Sequence, residues 1–177
     1  MKGIIKLAVV GAVLGIAVGA NAADPYLSKF QPGTWKGKVT ESVSPELKGK
    51  MITATTATSP EAVTVTVKFD GAKGGEREEW KITNNKLIQT EYDASGKAVG
   101  TYAANLRQGS NDAERVFDIN CTDKAAKKCD NNIDPNNNWV VSVNEGKFNY
   151  VVRGLKDKAN PTSVGERHRF EFQYAGK

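Results

Sequence analysis

AVTVTVKFD, residues 62–70, alternates strictly: Val63, Val65, Val67 and Phe69 fall on one side, and Thr64, Thr66 and Lys68 on the other. Successive side chains of an extended chain point to opposite faces, so this pattern reads as a strand with one face on a core and the other in solvent. The same alternation recurs in TWKGKVTESV from Thr34, KMITATTAT from Lys50, EREEWKIT from Glu76, KLIQTEYD from Lys86 and KAVGTYAA from Lys97. It continues in ERVFDIN from Glu114, NWVVSV from Asn138, KFNYVVR from Lys147 and ERHRFEFQY from Glu166, whereas a helical period is almost absent. Turn-forming pairs punctuate the runs: Asp70-Gly71, Gly74-Gly75, Asn84-Asn85, Ser95-Gly96, Asn111-Asp112 and Glu145-Gly146. Short connections make hairpins, and consecutive hairpins make an antiparallel meander.

A meander of about ten strands would leave long unpaired edges, and a sheet of that size tends to curl until its edges meet. The expected fold is therefore all-β: an antiparallel up-and-down barrel of about 8–10 strands, with a β-sandwich as the alternative. Residues Ala23 to Pro32 precede the first strand as a short helical lid or an extended arm. The polar segment Leu155 to Val164 reads as a loop or a short helix stopped at Asn160-Pro161.

The chain of 177 residues opens with Lys2 and Lys6 ahead of an apolar run from Leu7 to Ala20, closed by the small residues Ala20-Asn21-Ala22. This is the layout of a secretory signal peptide over residues 1–22. The run has 14 residues, fewer than the roughly 17 to 25 that span a bilayer as a helix. The expectation is a single domain over residues 23–177, periplasmic or secreted, with no transmembrane segment after processing. Removing residues 1–22 takes two lysines and no acids, leaving 23 basic against 20 acidic side chains. So mild an excess, unclustered, does not predict a nucleic-acid partner.

FQPGTWKGKV, from Phe30 to Val39, carries Gly33-Thr34-Trp35 at the head of the first strand. With the meander pattern, this resembles the G-x-W entry of the lipocalins and their calycin relatives, antiparallel barrels that hold small apolar ligands. The resemblance implies that Trp35 closes the narrow end and that an arginine of the last strand, Arg167 or Arg169, packs over it. The T-D-x-x-x-x-Y motif and the long C-terminal helix of lipocalins are absent from the sequence.

CTDKAAKKCDNNIDPNNNW, residues 121–139, holds both cysteines. An even pair in an exported chain predicts a disulfide between Cys121 and Cys129. Asp130, Asn132, Asp134 and Asn136 match positions 1, 3, 5 and 7 of a calcium loop, but Pro135 and Val141 stand where such a loop needs glycine and a bidentate glutamate. The reading is an Asx-rich turn with no metal, on a stapled loop that could meet an envelope partner.

His168, the single histidine, shares its phase with Phe170, Phe172 and Tyr174 and should face inward. Such a histidine can ligate haem, move a proton, or sit satisfied in a core or barrel mouth. Glu78, in phase with Trp80 and Ile82, and Glu41, in phase with Trp35 and Val39, are inward carboxylate candidates. No nucleophile, phosphate-cradle or metalloprotease motif accompanies them. The leading expectation is a non-enzymatic barrel without cofactor that binds a small, largely apolar ligand in its lumen, lined or plugged by Glu78, Trp80, Tyr102, Trp139, Phe148, Tyr150, His168, Phe170 and Phe172. Two other readings are an interaction protein using the stapled loop and an unpaired strand edge, and an enzyme using His168 with Glu78 or Glu41.

Overall fold

A computed structural model describes residues 24–120, 138–156 and 163–177. The expected signal peptide, both cysteines and so their expected disulfide, the Asx-rich stretch up to residue 137 and most of the 155–164 segment lie outside the described residues. Among the described residues there are ten strands: β1 (Gly33–Ser42), β2 (Met51–Thr58), β3 (Ala62–Phe69), β4 (Arg77–Thr83), β5 (Lys86–Tyr92), β6 (Ala98–Leu106), β7 (Glu114–Asn120), β8 (Asn138–Asn144), β9 (Lys147–Leu155) and β10 (Val164–Gly176). Each of the sequence-predicted runs is one of them. A 3-10 turn, Leu27–Lys29, precedes β1.

Every strand pairs antiparallel with its neighbours in sequence, and β1 pairs with β10, so the meander is a closed barrel. Closure satisfies the outer backbone groups of the first and last strands, which removes the unpaired edge that the interaction reading invoked. The turn chemistry acts as the sequence suggests. Gly71 adopts φ +86° in the β3–β4 turn, and Glu145-Gly146 joins β8 to β9 with both residues at positive φ, 43° and 76°, the conformation a two-residue hairpin requires. Among the described residues no helix is long and apolar enough to cross a membrane.

The alternating phase fills the interior. Trp35, Val63, Val65, Trp80, Leu87, Phe117, Phe148 and Tyr150 are at most 1 % exposed. Phe148 and Phe172 stack at 4.2 Å, Trp80 lies 4.1 Å from Tyr150, and Trp35 meets Phe148 edge-on at 5.0 Å. The middle of the barrel is thus packed with rings.

One expected phase does not persist. In the β1–β10 ladder Val39 faces Phe170, but the next pair is Glu41 with Arg169, so Thr40 is an extra residue, a β-bulge. A single added residue moves everything after it to the other face. Glu41 therefore points outward, exposed and bonded to Lys48 at 3.0 Å, and does not join Trp35 and Val39 inside. Ser42 takes the inward place opposite His168.

Candidate functional site

The two ends of the barrel are built differently. At the lower end, where β1 begins, residues 24–31 fold across the opening. Tyr26, Leu27 and Phe30 are buried there, and the Tyr26 hydroxyl donates to the Val141 carbonyl at 2.9 Å. Arg115, inward on β7, donates to the Asp24 carboxylate at 2.8 Å and to the Asn84 carbonyl at 3.2 Å. Its guanidinium also lies 4.3 Å from the centre of the Tyr26 ring. Trp35 donates its indole N–H to the Gln31 carbonyl and to Thr56 Oγ1, tying the plug to β1 and β2.

Trp35 closes this end among Phe148 and Tyr174. Arg167 and Arg169 lie toward the other end of β10: Arg169 faces Glu41, whereas Trp35 faces Tyr174. Arg169 is bonded to Glu166, and the arginine stacked on a ring at the plugged end is Arg115.

At the upper end the inward positions stay within reach of solvent. Phe69 of β3, Glu78 of β4, Glu91 of β5, Tyr102 of β6, Ile119 of β7, Val152 of β9 and His168 of β10 all point inside yet are only half-buried. Beneath them Trp80, Tyr150, Phe170 and Trp139 form a floor at most 4 % exposed. Together they make an upper inner layer, the cup, in which half-buried ring, aliphatic and carboxylate side chains stand above that floor. Of the residues expected to line a lumen, Tyr102, Glu78 and His168 are on its wall and Trp80, Trp139, Tyr150 and Phe170 at its base, while Phe148 and Phe172 are fill lower down.

The polar chemistry of the cup centres on Glu78. Trp80 Nε1 and Gln89 Nε2 both donate to its Oε2, at 3.0 and 3.2 Å, and Gln89 accepts from the Tyr150 hydroxyl at 2.7 Å. Glu78 and Glu91 are direct partners across the β4–β5 ladder. Burial pushes the Glu78 carboxyl up to about 7; the Trp80 hydrogen bond opposes this and the charge of Glu91 adds to it. Burial and the same two carboxylates raise the phenols of Tyr102 and Tyr150. Gly100 faces Glu91, and its missing Cβ leaves room for the Tyr102 ring and Glu91 Oε2, which would lie 3.2 and 3.3 Å from such an atom.

His168 shares the interior with Glu78 but not its hydrogen bonds. His168 Nδ1 is 2.9 Å from Ser42 Oγ, which also accepts from the Ser44 amide at 3.0 Å. With that acceptance made, the serine hydroxyl can donate to Nδ1, which puts the imidazole proton on Nε2. Burial first, and the charge of Arg167 second, hold the imidazole below its usual range; Glu46 opposes them. Among the described residues no group of three or more His, Cys, Asp or Glu is arranged to hold a metal ion.

Sequence reasoning missed Glu91, Gln89 and Ser42. The first two were accessible: with Asn84-Asn85 as the turn, hairpin pairing places 78 opposite 91 and 80 opposite 89. Ser42 was hidden by the bulge. Compared with known proteins, the chain matches no protein-family model and no curated protein.

Proposed function

We propose that this protein is an exported, non-enzymatic carrier that takes a small, largely apolar ligand into the upper cup of the barrel. The observation that carries the reading is the half-buried state of Phe69, Tyr102, Ile119 and Val152, apolar side chains that point into the barrel without being sealed there. Apolar surface held open to water inside a rigid wall is what a ligand can cover. Residues 24–31 fill the lower end beneath the cup. The lipocalin-like resemblance of the first strand agrees with this use, and the residues that lead the chain, Lys2 to Ala22, agree with a periplasmic or secreted site. Against an enzyme stands the separation of the hydrogen-bond networks of Glu78 and His168, which leaves neither group positioned by the other.

Native mass spectrometry of protein purified from its own source is the test. One small molecule per mature chain is expected, together with binding of the apolar probe N-phenyl-1-naphthylamine that Ile119→Trp or Val152→Trp reduces by filling the cup. A folded protein with a bare chain mass and no probe binding would remove the carrier reading. Mature protein in the exported fraction should begin at Ala23; a chain retaining residues 1–22 in the cytoplasm would remove the proposed location.

A further inference from the structure

We infer that the ligand enters the cup with a positive charge at its inner end, as a protonated organic amine on an apolar body. This rests on the carrier reading and specifies its ligand class. The starting point is the ladder: Glu78 and Glu91 stand side by side on the inner face, where directly paired residues have Cβ atoms about 4.5–5.5 Å apart. Like charges so placed repel, and partly buried carboxylates gain from an opposite charge beside them. Among the described residues no basic side chain pairs with either of them. Among the described residues the ion pairs are Lys48 with Glu41, Arg107 with Asp118, Arg115 with Asp24 and Arg169 with Glu166. Arg77, next to Glu78, turns away to stack on Tyr92 at 3.7 Å and bond the Gly75 carbonyl.

The surroundings of the pair carry the second part of the argument. Trp80 and Gln89 spend their donors on one oxygen of Glu78, Oε2, and among the described residues Oε1 has no hydrogen-bond partner. The relay from Tyr150 through Gln89 is buried and fixes the carboxylate in one orientation. Near it are the half-buried rings of Phe69 and Tyr102, and aromatic rings accept both the alkyl stem and the charge of an ammonium group. A neutral apolar ligand would cover the carboxylates and leave them unpaired, and an anion would be repelled. An ammonium ion offers up to three donors and a charge opposite to both carboxylates.

Among the described residues the titratable groups that face Glu78 are Glu91 of β5, Tyr102 of β6 and Tyr150 of β9, with His168 of β10 across the same interior; its neighbour on β3 is Val67. Calorimetric titration of the mature chain at pH 8 with 4-phenylbutylamine, 4-phenylbutanol and 4-phenylbutyrate reads the charge preference directly. The amine is expected to bind about tenfold or more tighter than the alcohol, as a hydrogen bond to a charged group implies, with the carboxylate weakest. Glu78→Gln and, separately, Glu91→Gln should bring the amine and the alcohol close together, and either variant suffices if the other does not fold. If alcohol and amine bind alike, or the preference survives both substitutions, the inference falls and the carrier stands. If N-phenyl-1-naphthylamine binds but none of the three ligands does, the inference again falls alone. If nothing binds, both fall.

Discussion

Replacing Glu78 by glutamine should make the protein more stable at neutral pH, and by an amount that depends on pH. The side chain keeps its shape, and the amide oxygen can still accept from Trp80 Nε1 and Gln89 Nε2. What changes is the charge. In the folded barrel the carboxyl titrates at about 7 against an ordinary 4.5. A raised folded-state value means the native state holds its proton where the unfolded chain has released it. Stability from this group is therefore complete below the ordinary value and is lost as the pH rises through the folded one. At about 1.4 kcal/mol per pH unit, the difference amounts to about 3 kcal/mol at pH 8, a ceiling because solvent reaches the cup. Near pH 4 the wild-type carboxyl is mostly neutral in both states, and the variant should gain little. Urea unfolding followed by tryptophan fluorescence at unit steps from pH 4 to pH 8 measures both chains, and subtracting one curve from the other cancels the titrating groups that do not feel Glu78. A difference that stays constant with pH, or that favours wild type at pH 8, would refute the reasoning that desolvation dominates at Glu78.

Three other outcomes follow from the geometry. Arg115→Met should destabilise by about 3–5 kcal/mol, because it leaves the Asp24 carboxylate buried without its partner; thermal melts of Arg115→Met beside Asp24→Leu/Arg115→Met should show the double variant recovering part of the loss. Gly37→Ala should cost more than about 3 kcal/mol or prevent folding, since the new Cβ would meet the Glu171 carbonyl oxygen and lie 2.7 Å from Phe172 Cδ1; soluble yield and a chemical melt report it. Proton NMR of the single histidine should give a midpoint below 6.5 in the ligand-free protein, set by burial and Arg167; a midpoint above that value would mean that a carboxylate reaches the ring.

The strands were legible because each announces itself locally. AVTVTVKFD needs no partner to show which side is apolar, and Glu145-Gly146 needs only its own φ angles to turn the chain. The same local arithmetic placed Glu78 and His168 inside, and it could have placed Glu91 beside Glu78. It failed at Glu41, where the added Thr40 is accommodated only because β10 lies alongside, a pairing between residues more than a hundred positions apart. It was silent about Asp24, Tyr26 and Arg115 for the same reason. Nothing near Tyr26 in sequence indicates that its hydroxyl will find the Val141 carbonyl, or that Arg115 will reach back across the opening to Asp24.

That lower-end pair bears on the upper end. Arg115 is in a position where burying a guanidinium would be costly, and the fold answers with a carboxylate, two further acceptors' worth of contact at the Asn84 carbonyl and the face of Tyr26, and almost complete exclusion of water. The barrel can therefore match an inward charge with one of its own when the position is meant to be closed. At Glu78 and Glu91 the opposite arrangement holds: two inward carboxylates meet with no basic side chain from the described residues, one oxygen of Glu78 is held fast, and the walls above stay within reach of solvent. Side-chain packing alone does not require that pair, since the leucine and valine used elsewhere on the same inner face would fill the space without repulsion. The charge carries a cost to stability that Glu78→Gln can measure, and the cationic ligand we infer would turn that cost into affinity.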